Sequence, residues 1–482
     1  MYKIPEKILI LENEEERLLL NCDEVYPVYF PKGGEFICDL LQELKSLEPF
    51  SELPVDQNAD ELLDFFLKNK LIVPFIENKP EKENLKKDCS CGNTPTRLSH
   101  SRSVYILLTQ SCNQSCIYCL NGKETYQKKE NLKMPEEIAK ESIERALESI
   151  LPDGNLEVVF FGGEPLMNWT LAKSIIHFCE NELKQKHPNK IIRYHLTTNL
   201  TIFPSDLIEY SLKYGITYLV NVDGPEEIHN KTRPFLSNKG TFKITKRNIQ
   251  RLIDAGLEVA MRATITSFNH DNMLDIAKVH KELGGSSTAY VPLNPVDSDV
   301  NILPFDLCPD PKKFSKGLLE VYHSGLWDKD KIFPFTEFKS HLTPGFSNRY
   351  GCGAPHGNTP VVTTEGKIYS CIYLVGNEKY EIGDIKKNDF PRTEVLQRMM
   401  DIVDIENREK CIKCAYKNLC GGGCPVGLFS IADNPDTPDE VKRYESEMTC
   451  TITKTTINTL LWELAYSQKE KLELSQENGQ KV

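Results

Sequence analysis

Cys112-Asn113-Gln114-Ser115-Cys116-Ile117-Tyr118-Cys119 follows the apolar run Val104-Tyr105-Ile106-Leu107-Leu108, and its reading decides the fold. The run is β-branched and aromatic and closes in Thr109-Gln110-Ser111. It predicts a buried strand whose C-terminal end reaches a site. Three thiolates spaced C-x3-C-x2-C can hold three irons of a cubane while the fourth iron has no protein ligand. A zinc knuckle is the competing reading. Zinc, however, favours closed sets of four Cys or His ligands, and no histidine lies within the loop.

Outward from this loop, residues 104 to about 325 alternate two periodicities. Strand-like runs at 104–108, 156–161, 193–198, 218–222, 258–265 and 289–293 are separated by helical stretches such as 135–150, 171–186, 205–214, 241–255 and 271–283. Six βα units predict an α/β fold, an open parallel (β/α)6 partial barrel with ligands at the C-terminal strand ends. Polar residues fall at those ends. Gly162-Gly163-Glu164-Pro165 follows the second strand; its glycines allow close backbone approach to a ligand, and Glu164 can pair with an ammonium group. Asn199 closes the third strand, Asp223 the fourth, and Arg262 lies in the fifth, a natural fork for a carboxylate. Singly, each reads as an ordinary strand-end polar group.

The chain has sixteen cysteines, and their distribution is uneven. Besides the loop, seven fall between Cys352 and Cys450: Cys352, Cys371, Cys411, Cys414, Cys420, Cys424 and Cys450. Such clustering points to metal centres rather than a disulfide framework. A zinc ribbon of Cys411, Cys414, Cys420 and Cys424 is the alternative there. Residues 1–78 read as a compact unit of three short strands and two helices, and 79–103 as a polar linker carrying Cys89 and Cys91. The region 326–450 is the Cys-rich unit, and 451–482 a helix with a polar tail. The net charge of -12 argues against a nonspecific nucleic-acid binder. Neither a signal peptide nor an apolar span is evident, so a cytoplasmic chain away from membranes is expected.

The cysteine loop after strand one, Gly162-Gly163-Glu164-Pro165 after strand two and the polar strand ends together resemble the radical S-adenosylmethionine (SAM) superfamily. The segments His229-Asn230-Lys231-Thr232-Arg233-Pro234 and Gly240-Thr241-Phe242 resemble its peptide- and protein-modifying branch. The resemblance implies that Cys112, Cys116 and Cys119 hold a [4Fe–4S] cluster. It also implies that Tyr118, Gly162, Gly163, Glu164, Asn199, Asp223 and Arg262 contact S-adenosyl-L-methionine. Reductive SAM cleavage would then yield a 5′-deoxyadenosyl radical that takes a substrate hydrogen. The later cysteines resemble the seven-cysteine SPASM extension with two auxiliary [4Fe–4S] clusters. By that resemblance one cluster takes Cys411, Cys414, Cys420 and Cys450, and the other Cys352, Cys371 and Cys424, one ligand short. Cys308 is the nearby candidate to close it.

Residues 1–78 resemble the winged-helix leader-binding domain of ribosomal-peptide-modifying enzymes, where a leader peptide adds as a strand. The implied partners are a precursor peptide and a reductant such as flavodoxin or ferredoxin. Where anaerobic sulfatase-maturing relatives carry an Asp base after the Gly-x4-Cys cysteine, this chain has Ile372, which argues against sulfatase maturation. The expected activity is thioether cross-linking of a ribosomally made peptide. Carbon–carbon or cyclophane-type cross-linking is the alternative, and a zinc-binding leader-peptide scaffold is the non-enzymatic one. The sequence names no catalytic base.

Overall fold

The computed structural model describes residues 2–4, 8–12, 17–21, 26–30, 35–46, 59–74, 99–119, 133–295, 305–343 and 346–477. Its centre is a parallel sheet of six strands laid down in chain order: Ser99–Thr109, Ile150–Gly162, Ile191–Thr198, Thr217–Asn221, Val259–Ile265 and Ser287–Pro292. These are barrel strands one to six below. All six expected strands are present. Val104, Ile106, Leu107 and Leu108 are buried, as a central parallel strand covered on both faces requires. The helix Glu136–Glu148 returns over the sheet with Ile138, Ala139, Ile143, Ala146 and Leu147 buried on one stripe. Gly215, at φ 66°, ends the helix Leu207–Tyr214 in a left-handed turn.

The structure corrects three boundaries. Strand one begins at Ser99, five residues inside the expected linker, because Arg102 is buried against the following layer rather than solvated. The rest of that linker, with Cys89 and Cys91, lies outside the described residues. The helix expected over 171–186 is α-helical at Trp169–Phe178, passes through a π-turn at Cys179–Leu183, and resumes at Lys184–Lys186. The C-terminal helix spans Asp439–Glu477 and so carries Cys450 within it rather than before it.

The sheet does not stop at the barrel. Ile332–Phe333 adds in parallel beyond strand six. Beyond strand one, Val361–Val362 pairs in parallel and is followed by antiparallel Lys367–Tyr369 and Glu381–Asp384, so the Cys-rich region continues the barrel sheet. Near the N-terminus, Ile8–Glu12, Arg17–Asn21 and Tyr26–Phe30 form an antiparallel sheet. Leu19 and Val28 face the helices Glu35–Ser46 and Ala59–Lys68, in a core with Leu40, Leu44 and Phe66. Leu9, Leu11, Leu18 and Leu20 face the other way, onto Tyr416, Leu419, Ile457 and Leu461. Alternation of period two thus buries both faces of this small sheet. Among the described residues, no helix is long and apolar enough to cross a membrane.

Candidate active site

The three cysteines of the first loop are half-buried and none of them is in a disulfide. The segment following strand four clasps the loop: Ser115 N donates to Pro234 O at 2.8 Å and Ile117 N to Thr232 O at 3.0 Å. Arg233 reaches in from that segment. Its Nη1 donates to the Tyr118 hydroxyl at 2.7 Å and its Nη2 to Gln114 Oε1 at 3.3 Å. The Tyr118 hydroxyl in turn donates to Asp223 Oδ2. Burial alone would lower the Arg233 guanidinium, but Cys116, Tyr118 and Asp223 around it hold it well above its usual range. Burial pushes the Cys112 thiol up to about 12 and raises Cys116 as well, so these thiols are neutral until a cation binds them.

A cavity of about 150 Å³ opens over the loop, walled by Cys112, Cys116, Cys119, Gly162, Gly163, Asn199, Arg233 and Arg262 among others. The glycine pair lines this cavity and also packs against the end of the first strand. Gly163 N donates to Thr109 O and Glu164 N to Ser111 O, both at 2.9 Å. A Cβ on Gly163 would stand 2.2 Å from Ser111 O, and one on Gly162, at φ 140°, 2.3 Å from Thr109 O. Glycine is what lets the second strand end lie against the first.

The side-chain oxygens of Glu164 and Asp223, both expected at the cofactor, take hydrogen bonds from the chain itself. Glu164 is fully buried; it accepts from Thr198 Oγ1 at 2.6 Å, Asn199 N at 2.8 Å and Leu166 N at 3.0 Å. Asp223 accepts from Tyr118, from Thr232 Oγ1 at 2.8 Å and from Thr264 N at 3.1 Å. Neither lines the cavity; both tie strand ends together beneath it. Asn199 does line it, with Nδ2 at 3.8 Å from Cys112 Sγ. Tyr118 and Arg262 line it too, and Arg262 Nε and Arg233 Nε are buried without a partner. Three thiols beside two guanidinium groups with orphaned nitrogens suit an iron–sulfur cluster and an anionic group such as a carboxylate.

The later cysteines separate into two sets. Cys411, Cys414, Cys420 and Cys450 line a cavity of about 50 Å³. Cys352, Cys371 and Cys424 lie together elsewhere, each close enough to another to oppose its ionisation, and burial pushes each thiol up to about 12. The turn between Cys420 and Cys424 makes the division. Gly421, Gly422 and Gly423 all have positive φ, a run that side-chain-bearing residues cannot follow, and it sends the two cysteines to different sites. The zinc-ribbon set of Cys411, Cys414, Cys420 and Cys424 is therefore not brought together. Cys308 sits in the core near Tyr444, Glu445 and Asp306 rather than with the incomplete set of three.

A second cavity of about 270 Å³ shares Arg262, Pro292, Leu293 and Tyr373 with the first and has Cys424 in its wall. Ile372, the residue after Cys371, lines the first cavity. Several site residues escaped the sequence reading: Gln114, Tyr373, Glu337 and Glu445, together with the anchoring role of Arg233. Glu445 left a trace, because it interrupts the apolar stripe Val441, Tyr444, Met448, Ile452 of its helix.

Residues 106–283 match the Radical SAM superfamily, and the chain carries a radical SAM domain. The chain is 24% identical over 66% of its length to a cysteine-type anaerobic sulfatase-maturating enzyme of Clostridium perfringens, covering 86% of that protein. It is 26% identical over 53% of its length to the radical SAM cyclopropyl synthase TigE of Paramaledivibacter caminithermalis, covering 54% of it. Among solved structures, native anSMEcpe with bound AdoMet superposes with a TM-score of 0.60 at 21% identity, over 76% of this chain and 99% of that one. Streptococcus suis SuiB bound to its precursor peptide SuiA superposes with a TM-score of 0.51 at 14% identity, over 89% and 97%. The partial-barrel fold is shared with both.

Proposed function

We propose that the chain is a radical SAM maturase of a ribosomally made peptide and that it forms a cysteine thioether cross-link. The observation that carries this reading is the second cavity. It adjoins the cavity over Cys112, Cys116 and Cys119 and is bordered by a cysteine set one short of the four that a [4Fe–4S] cluster takes. Bound SAM and its cluster would supply the radical that removes a substrate hydrogen. The chain's own residues do the rest. Cys112, Cys116 and Cys119 hold the cluster, Asn199 and Arg262 face the bound SAM, and Arg262 with Tyr373 forms the partition to the substrate side. Glu164 and Asp223 keep the strand ends in place. Cys411, Cys414, Cys420 and Cys450 hold one auxiliary cluster. Cys352, Cys371 and Cys424 hold the other, leaving a position for a substrate thiolate, the soft ligand iron favours. Residues 1–78 bind the leader as an added strand. A flavodoxin or ferredoxin serves as reductant. The zinc-scaffold alternative loses support because its four cysteines are divided between two sites.

The test is anaerobic incubation of the reconstituted enzyme, SAM and reductant with precursor candidates encoded by short reading frames beside the gene. The expected product has lost two hydrogens and one alkylatable thiol. A product that has lost two hydrogens with every thiol still alkylated moves the assignment to carbon–carbon cross-linking. Undiminished SAM cleavage in a Cys112/Cys116/Cys119→Ala variant removes the radical SAM assignment itself.

A further inference from the structure

The second cavity contains two carboxylates that the fold leaves without a partner. Its wall is chiefly aromatic and aliphatic, with Phe314, Phe338 and Met448 prominent. Into this wall come Glu337, from the helix Phe335–His341, and Glu445, from the C-terminal helix. Glu337 is exposed and Glu445 half-buried, neither with a hydrogen-bond or ion-pair partner among the described residues, and their apolar surroundings raise Glu337 and push Glu445 up to about 7. Arg262, the guanidinium of the shared wall, stands instead beside Tyr373. Both acids lie near Cys424, and Glu337 also near Cys352, so any thiolates there add negative charge to the same space. Glu445 is firmly seated: a Cβ on Gly427 would come within 2.3 Å of its carboxylate.

Two acids that border one largely apolar cavity without an ion-pair partner favour a partner that brings a cation. That partner must combine a cation with an apolar body, because the cavity around the acids is greasy. A lysine or arginine side chain has this construction, with a methylene stem and a charged head. A bare metal ion lacks the apolar body that this wall would cover. We propose that the cavity beside Cys424 seats a lysine or arginine of the substrate peptide, its stem along Phe314, Phe338 and Met448 and its charge held by Glu337 and Glu445. This rests on the chain acting on a peptide, but not on which bond it forms. The enzyme then selects substrates by a basic residue near the modified position.

The experiment uses the full chain with its clusters reconstituted and no reductant. Two capped pentapeptides, Gly-Gly-Lys-Gly-Gly and the same sequence with norleucine for lysine, are compared by anaerobic equilibrium dialysis. The lysine peptide is expected to bind about tenfold more tightly, the scale of one well-placed charge pair. Glu337→Gln and Glu445→Gln should each lower that ratio, and the double variant should bring it to one. Glu445→Asp should preserve most of it. Equal binding of the two peptides, including absence of measurable binding of either at millimolar concentration, overturns the proposal. So does a lysine preference that survives in both single Gln variants. Thiol alkylation of the enzymatic product is read separately. A chain that forms thioethers without lysine preference loses only this inference, and one that prefers lysine while leaving thiols free loses only the thioether reading.

Discussion

Arg233 joins Gln114, Tyr118 and, through Tyr118, Asp223 into one buried array under the cysteine loop. Lysine could keep the charge there but not the two-pronged reach. Arg233→Met should leave Asp223 and the Tyr118 hydroxyl buried without their cation, at a cost of about 3–5 kcal/mol. Urea unfolding of the cluster-free chain measures that cost. Reconstituted Arg233→Met should also carry one cluster's iron fewer than the native chain, with Arg233→Lys in between; native iron content in both variants would exclude this role. Much of this scale was legible in the sequence. The cysteine sets and the glycine pair announce themselves because converging thiols and close backbone contact each demand one residue type at fixed spacing. The duties of Glu164 and Asp223 were not legible, since whether a carboxylate faces a ligand or its own chain depends on donors supplied by distant strands. Arg233 stood in view, yet its partners lie 115 and 119 residues earlier.

Buried histidine ties the elements beneath the site together. His280, on the helix Met273–Glu282, is fully buried; its Nε2 is 2.7 Å from Val222 O at the end of strand four, and its Nδ1 is 2.8 Å from Thr288 Oγ1 in strand six. Burial pushes its ring down to about 4, the bond to Val222 O opposing. In the unfolded chain it titrates near 6.5, so between pH 6.5 and 4 the unfolded state binds the additional proton. Stability is therefore complete above about 6.5 and falls as pH drops towards 4, by about 1.4 kcal/mol per unit from this group. His280→Asn, less stable at neutral pH, should show a shallower decline over that interval in urea midpoints; an unchanged slope would mean the ring is not held neutral. The six barrel strands could be read from sequence because strands covered on both faces are continuous apolar runs. The strands Val361–Val362 and Lys367–Tyr369 could not, being too short to carry a periodicity.

Across the whole molecule, the small N-terminal sheet is bolted to the far end of the chain. Leu461 is fully buried between that sheet and the Cys-rich region. Leu461→Ala should cost about 2–5 kcal/mol at this contact. Hydrogen exchange should then quicken in Ile8–Glu12 and Arg17–Asn21 while the barrel strands keep their protection. Uniform quickening would show that the contact is not a separate seam. Removing residues 1–78 would bare Tyr416 and Leu419, which flank Cys414 and Cys420 of the four-cysteine cavity. The two-faced leucine run Leu18-Leu19-Leu20 hints at this cover, although the sequence gives no sign of what lies on the second side.

Ile372 and Tyr373 come from the Cys-rich region but close the cavity over the first cysteine loop, and Val361–Val362 is stitched to the strand that delivers that loop. An engineer exchanging modules between such enzymes therefore cannot cut at the apparent border between barrel and cysteine-rich cassette. A foreign cassette would arrive with its own wall for the first cavity and its own edge for the strand beneath the cysteine loop. A chimaera made here would inherit a new second cavity and an altered first one in a single crossover.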